Sequence, residues 1–173
     1  MKSLKYILIA VVAFAASNTF TSCNKADDTP AGLDSLAHHY YAIYVPNNNT
    51  AVTVTKSQTA LLKFPVQFYS TFVRDYDAVC KYAVTTAGIT TPALRGVDYN
   101  IVDKSGTLIN SADTTYSIIF PKAIQAMDTI YVKLLNNPAT GTRKFEVDIL
   151  DNRTSQFDVD IFSTACKRPV TIN

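Results

Sequence analysis

The sequence predicts an all-β domain, a sandwich or a barrel, on three observations. Short strand-like segments recur about every 10 to 15 residues from residue 37 onward, and Pro, Asn, Asp and Gly separate them. Within the segments apolar and polar side chains alternate, which is the period of a strand that is covered on one face. The aromatic residues are Tyr and Phe without any Trp, and Thr is frequent, a mixture that favours strands.

Nine segments show this pattern, so we expect about seven to nine strands. They are residues 38–45, 51–55, 61–69, 78–85, 99–102, 115–120, 129–135, 144–150 and 156–162. No segment has the period of a long amphipathic helix, although residues 123–127 are compatible with one helical turn. The β domain is expected to span residues 37–173.

Residues 1–22 have the organisation of an export signal. Lys2 and Lys5 give a short basic region, and residues 6–16 form an uninterrupted apolar run. A membrane-spanning helix needs roughly 20 apolar residues, so this run is too short to be one. Its length is typical of the apolar region of a signal peptide.

The signal ends in a segment that resembles a lipobox, Phe20-Thr21-Ser22-Cys23. Phe20 and Ser22 replace the usual Leu and Gly or Ala, as in the looser boxes of Bacteroidetes-type lipoproteins. We predict that Cys23 is acylated with palmitate-type chains and anchors the mature protein, because several buried chains give stable membrane attachment. The alternative is an ordinary secretory signal in which Cys23 is incidental.

Residues 23–36 are polar and are expected to form a flexible tether. Asp27 and Asp28 in the tether resemble the signal that sends such lipoproteins to the outer face of the outer membrane. We therefore expect a surface-exposed lipoprotein of the outer membrane. An anchor that faces the periplasm is the alternative.

The net charge argues against nucleic-acid binding. Sixteen basic residues less Lys2 and Lys5 leave fourteen, which equals the number of acidic residues, so the chain after residue 22 is formally neutral. Nucleic-acid binding needs a basic face, which this balance does not favour.

Catalytic motifs are missing from the sequence, and we predict a protein that is not an enzyme. His38 and His39 are adjacent, so on a strand they point to opposite faces and cannot serve one centre. The chain has no Gly-x-Ser-x-Gly turn, no metal-ligand spacing of His and Cys, and no Gly-rich phosphate loop.

Cys80 and Cys166 remain after acylation of Cys23, in an exported protein. One interpretation is a disulfide, whose loop of about 86 residues corresponds to roughly 4–5 kcal/mol of stabilisation in the loop-entropy model. The other is two unpaired thiols, one of them buried.

About half of the chain, residues 61–152, resembles Calx-beta domains and related domains of Bacteroidetes-type surface lipoproteins. The most specific part is Ala93-Leu94-Arg95-Gly96-Val97-Asp98-Tyr99, which is similar to the family's Ala-x-x-Gly-x-Asp-Tyr. The supporting segments are residues 79–88, 117–121, 130–137 and 145–150. The resemblance implies an immunoglobulin-like antiparallel β-sandwich of uncharacterised function.

Calx-beta domains of the calcium-regulated kind bind calcium with clustered carboxylates, which makes calcium the one weakly implied cofactor. Asp98 matches an acidic position of that pattern. The family's paired Asp is replaced by Asn136 and Asn137, and its following acidic residues by Thr142 and Lys144. Calcium prefers several charged oxygen ligands, so the resemblance implies at most a weak site here.

A hairpin of residues 144–150 and 156–162 predicts a carboxylate patch independently of the resemblance. The register that pairs apolar with apolar residues places two like-charged pairs opposite each other. These pairs are Glu146 with Asp160 and Asp148 with Asp158. The patch is either a cation or binding face, or a solvated face relieved by nearby lysines.

Three tyrosines near the start of the domain, Tyr40, Tyr41 and Tyr44, are a candidate platform for stacking sugars. The alternative is that they pack in the core, as aromatic residues on strands commonly do. Ser35, Thr114 and Thr129 each follow an Asp in triplets that resemble the O-glycosylation motif of this lineage.

The sequence thus predicts a membrane-anchored, non-catalytic surface lipoprotein that is a structural or ligand-binding module. One alternative function is glycan or nutrient capture within an outer-membrane uptake system, and another is calcium-tuned adhesion. The expected partners are the membrane, through Cys23, and a glycan or another surface protein.

Overall fold

The structure is a computed structural model that describes residues 39–70, 73–122, 124–161 and 164–173. The predicted signal, the anchor at Cys23, the tether and Ser35 lie outside the described residues. Within the described part of the chain, no helix is both long enough and apolar enough to cross a bilayer.

Eleven strands make up the regular structure of the described residues. They are β1 (His39–Tyr44), β2 (Val52–Val54), β3 (Leu62–Tyr69), β4 (Ala78–Thr85), β5 (Tyr99–Val102), β6 (Thr115–Phe120), β7 (Gln125–Leu134), β8 (Arg143–Leu150), β9 (Asn152–Arg153), β10 (Asp158–Ile161) and β11 (Lys167–Ile172). The all-β prediction is confirmed, and each of the nine predicted segments overlaps one strand. Residues 125–127, which the sequence would also allow to form a helical turn, are part of β7, which begins at Gln125 and pairs there with Tyr69.

The strands form the two sheets of a sandwich. The six-stranded sheet has the order β5-β7-β3-β1-β10-β9, and the five-stranded sheet has the order β2-β11-β8-β4-β6. Most neighbours are antiparallel, as expected, but β1 pairs with β10 and β2 pairs with β11 in parallel. Both parallel pairs join the first part of the described chain to its last part.

Two-residue alternation builds the core between the sheets. In β1, Tyr40, Ala42 and Tyr44 are buried and the residues between them are half-buried. The hydroxyl of Tyr44 donates to the carbonyl of Val147 in the opposite sheet at 2.8 Å. Stacked rings link the sheets at two further places, with centroids 4.9 Å apart for Phe68 and Phe120 and 4.3 Å apart for Tyr99 and Phe145.

Candidate functional site

The predicted carboxylate patch does not exist, because β8 and β10 do not pair. β8 lies between β4 and β11 in the five-stranded sheet, whereas β10 lies between β1 and β9 in the other sheet. The four carboxylates therefore divide into two pairs on opposite outer faces of the sandwich. The pairs are Glu146 with Asp148 and Asp158 with Asp160.

Glu146 and Asp148 share one cation, Lys167, on the outer face of the five-stranded sheet. The ammonium nitrogen of Lys167 lies 3.3 Å from Glu146 Oε2 and 3.6 Å from Asp148 Oδ2. Burial raises the pKa of Asp148, and Lys167 partly offsets this shift. Asp148 Oδ1 is buried and has no hydrogen-bond donor among the described residues.

Asp158 and Asp160 are engaged at the edge of the six-stranded sheet. Arg153 Nε donates to Asp158 at 2.8 Å, and His39 Nε2 lies 2.8 Å from Asp160 Oδ2. Asp151 and Asp160 are joined by a hydrogen bond that raises the pKa of Asp151 and lowers that of Asp160. Both carboxylates are thus bound by other side chains of the protein, and His39 faces Asp160 rather than a nucleophile.

Asp98 stabilises, through hydrogen bonds, the loop of residues 93–99 that resembles the Calx-beta motif. Its side chain is buried, and it accepts the backbone N–H of Leu94 at 2.7 Å and the Nδ2 of Asn137 at 2.6 Å. Gly96 between them has φ +81°, a conformation that side chains with a Cβ rarely adopt. The Gly and the Asp of the motif therefore have structural roles in this chain.

These residues do not fit a calcium site. One oxygen of Asp98 accepts from Leu94 and the other from Asn137, which presents its NH₂ group rather than an oxygen to that carboxylate. Among the residues that the structure describes, no group of three His, Cys, Asp or Glu side chains is placed to hold a metal ion. Calcium needs six to eight oxygen ligands, and Asp98 offers no such cluster.

The two described cysteines are free thiols, as in the second of the two interpretations. Cys80 is on β4 and Cys166 precedes β11, so β8 runs between them, and the carbonyl of Cys166 accepts from Ile149 at 2.9 Å. Two strand spacings amount to about 9–10 Å, which exceeds the Cα separation that a disulfide permits. Burial raises the pKa of Cys80 to about 12.

Two of the three residues of the candidate tyrosine platform pack in the core, as in the alternative interpretation. Tyr40 and Tyr44 point into the core and are fully buried, and burial raises the pKa of both hydroxyls. Tyr41 alone points outward, because alternate residues of a strand face opposite sides. Its ring stacks on that of His39 with centroids 5.2 Å apart.

Tyr41 belongs to a broader surface that the sequence interpretation missed, on the outer side of β1, β3 and β7. We call it the tyrosine face and define it by Tyr41, Ile43, Gln67, Tyr69, Gln125, Met127, Thr129 and Tyr131. None of these side chains is charged; Asp160 and Lys63 lie at its margins.

The strand register gives the layout of the tyrosine face. Tyr41, Tyr69 and Gln125 form one row across three strands, and Ile43, Gln67 and Met127 form the next. The row that contains Tyr131 pairs it with Lys63, six residues from Tyr69 along β3, which is about 20 Å away. Aromatic rings therefore stand at both ends of an elongated strip.

Exposure and hydrogen bonding distinguish this strip from a core. Met127 is 57% exposed and Tyr69 is 40% exposed. The Tyr69 hydroxyl donates to Gln67 Oε1 at 2.9 Å and accepts from Gln125 Nε2 at 3.5 Å. The signal for the strip was present in the sequence, since Tyr69 and Tyr131 occupy the outward positions of the alternation in β3 and β7.

The two described O-glycosylation candidates differ in their setting. Thr114 is exposed in the turn before β6, with φ 62°. Thr129 is half-buried within β7, opposite Pro65, on the tyrosine face. Modification of Thr114 is sterically simpler, and modification at either position remains a prediction.

Comparison with known proteins gives structural neighbours only. No protein-family model matches the chain, and no curated protein matches it. Solved structures that are similar include the apo-form Calx CBD1 domain, at 12% identity over 77% of this chain and 95% of that chain, with a TM-score of 0.49.

Two further neighbours are of the same kind. The Calx CBD2 domain is 11% identical over 76% of this chain and 85% of that chain, with a TM-score of 0.48. A structure described as the calcium binding domain CBD12 of CALX1.1 is 12% identical over 76% of this chain and 44% of that chain, with a TM-score of 0.46. Identities this low concern the architecture and do not transfer a ligand to this chain.

Proposed function

We propose that this protein is a non-catalytic surface module, held in a membrane by acylated Cys23, that binds an extended neutral glycan on the tyrosine face. The observation that supports binding is the strip of uncharged aromatic, thioether and amide side chains on the outer side of the six-stranded sheet. The observation that supports the anchor is the lipobox-like segment that ends at Cys23.

The chemistry of the tyrosine face suits a sugar chain. The C–H faces of a sugar ring are apolar and stack on aromatic rings, while sugar hydroxyls need donors and acceptors. Tyr69, Gln67 and Gln125 already form a hydrogen-bonded group that offers both. Apolar rings beside a few polar side chains are typical of sites that bind ligands with both apolar and polar parts.

The shape of the face favours a chain over a single sugar. The rings of Tyr69 and Tyr131 are separated by about 20 Å along the strands, and between them lie Gln67, Met127 and Thr129. A polymer that spans the strip gains from several weak contacts at once. The absence of charge among the residues that define the face favours a neutral polymer, because anionic polysaccharides require basic groups.

Affinity gel electrophoresis tests this proposal. The domain is run through native gels that contain soluble neutral polysaccharides, one polymer in each gel, beside a gel without polymer. We expect at least one polymer to retard the domain, and Tyr69→Ala to weaken the retardation by about 2- to 10-fold, the contribution of one aromatic contact. Ile119→Ala is the matched control, because Ile119 is 62% exposed on the opposite face.

Either of two results would reject glycan binding at this face. One is the absence of retardation in every gel, and the other is equal weakening by Tyr69→Ala and Ile119→Ala.

The anchor requires a separate experiment on the full chain. Cys23→Ala should release the protein from the membrane fraction, whereas Cys166→Ala should not. Mass spectrometry of the mature N-terminus should then find acyl chains on Cys23. Surface proteolysis of intact cells distinguishes an outward-facing domain, which is cleaved, from one that faces the periplasm, which is protected.

A further inference from the structure

A cleft of about 250 Å³ lies on the side of the sandwich where the chain passes from β1 to β2. It is bordered by the segment after β1, by β3 and by β11. Its apolar walls include Pro46 and Phe64, and its polar groups include Asn48 and Thr50. Lys63 and Arg168 also line it, and no acidic residue does.

Arg168 lines this cleft although it is a charged residue that is only 5% exposed. Its guanidinium lies over the Tyr44 ring, 4.3 Å from the centroid. One nitrogen donates to the carbonyl of Pro46 and another to the carbonyl of Lys167. A guanidinium has five N–H groups, so these two bonds leave donors available.

The positive charge of Arg168 has no counter-ion within the described part of the molecule. No described carboxylate lies within 4.0 Å of it, whereas Lys167 has two and Arg153 has one. Burial lowers the pKa of Arg168, which reflects the cost of desolvating its charge. A buried charge is expensive unless it is paired, so an anion in the cleft would relieve that cost.

We propose that this cleft binds a small carboxylate ligand, with the carboxylate between Arg168 and Lys63 and the rest of the ligand against Phe64 and Pro46. Arginine pairs with carboxylates in a planar two-bond geometry, and Lys63 adds a second charge at the rim. Asn48 and Thr50 supply hydrogen bonds to a polar ligand body. Apart from Lys63, which lies at the margin of the tyrosine face, this site is separate from that face, and its occupancy does not depend on glycan binding there.

The test is a titration of the folded domain followed by amide NMR shifts. Two matched pairs of probes are used: galacturonate with galactose, and N-acetylalanine with its methylamide. We expect at least one acid to shift the amides of Asn48 and Thr50 saturably, and to bind at least 10-fold more tightly than its uncharged partner. The pair that responds shows whether the carboxylate comes from an acidic sugar or from an amino-acid-like compound.

Variants assign the binding to the cleft. Lys63→Gln should weaken the acid about 3- to 10-fold. Lys133→Gln, another exposed strand lysine of the same sheet, and Tyr69→Ala should leave it unchanged. Arg168→Lys should weaken it further, provided that its thermal midpoint shows a folded protein; if it does not fold, Lys63→Gln decides.

Three outcomes would overturn the proposal. They are equal binding of the acids and their uncharged partners, no saturable shift with either acid, and equal weakening by Lys63→Gln and Lys133→Gln.

Discussion

The tyrosine face and the outer face of the five-stranded sheet are built with the same two-residue period but differ in charge. On the five-stranded sheet the outward residues include Lys81, Lys144, Glu146, Asp148 and Lys167, and Lys167 pairs with both acids. On the six-stranded sheet the tyrosine face has no charged member, and it leaves ring and thioether surface in water. Both acids of the five-stranded sheet are thus paired with a lysine, whereas the tyrosine face has apolar surface that a ligand could cover.

This difference has an energetic meaning. Each Å² of apolar surface left in water forgoes roughly 25 cal/mol, so a surface with many apolar atoms is costly unless a partner covers it at times. An ion-paired face gains little from a partner, because its charges are already solvated or paired. The comparison therefore favours the six-stranded sheet for the glycan binding proposed above.

The largest expected effect is the difference in stability loss between substituting an inward and an outward residue of β3. Phe68→Ala should destabilise the domain by about 3–5 kcal/mol, because it removes a fully buried ring that stacks on Phe120. Tyr69→Ala, one residue away, should cost less than about 1 kcal/mol. Urea denaturation measures both, and a large loss for Tyr69→Ala would mean that the tyrosine face serves stability.

The next effect concerns the outer side of the five-stranded sheet, which we call the charged face and define by Lys81, Lys144, Glu146, Asp148 and Lys167. Lys167→Gln should lower the free energy of unfolding at pH 7 by up to about 1 kcal/mol, because it leaves two partly buried acids without their cation. Lys133→Gln is the control on the other sheet. Equal effects of the two substitutions would show that the ion pairs do not stabilise the charged face.

A smaller effect of opposite sign is expected at Asp148. Burial raises the pKa of Asp148 above the ordinary value of 3.8, so the folded protein favours the protonated carboxyl group. The resulting contribution to stability is present below pH 3.8 and is lost as the pH rises through the raised pKa. Asp148→Asn is uncharged throughout, and at pH 7 it should raise stability by about 1 kcal/mol or less. The gain should shrink as the pH falls towards 3.8; a constant gain would contradict this origin.

The smallest effect is an expected lack of change in the thiols, which tests the strand order beneath the charged face. Intact mass should be the same with and without reductant, because β8 separates Cys80 from Cys166. In the folded domain Cys166 should react with an alkylating reagent, and buried Cys80 should react only after denaturation. A mass two units lower without reductant would disprove the strand order.

Local pattern was sufficient to predict most strands but not their neighbours. Alternation identifies nine segments, yet β11 escaped because Lys167, Arg168 and Pro169 occupy half of it and only Val170 and Ile172 show an apolar period. Without β11, the segment of β8 was expected to form a hairpin with the next predicted segment along the chain, which contains β10. The real partner of β10 is β1, more than 110 residues earlier, and no local pattern encodes such a pairing.

The residues of the candidate site could not be grouped from the sequence for the same reason, because local pattern does not encode strand pairing. The period of a strand shows that Tyr40 and Tyr41 face opposite sides, but consecutive tyrosines do not reveal which of them is inside. Tyr41, Tyr69 and Gln125 become one row only through the pairing of three strands. Arg168 resembles a surface cation in the sequence and is buried by the packing of Tyr44 and Pro46.

The most direct test of the tyrosine face is amide shift mapping with an oligosaccharide of the polymer that retards the domain most. We expect saturable shifts at Gln67, Tyr69, Met127 and Thr129, and unchanged amides in β4, β6 and β8. Shifts confined to the five-stranded sheet, or the same shifts in a variant that lacks both Tyr69 and Tyr131, would contradict it.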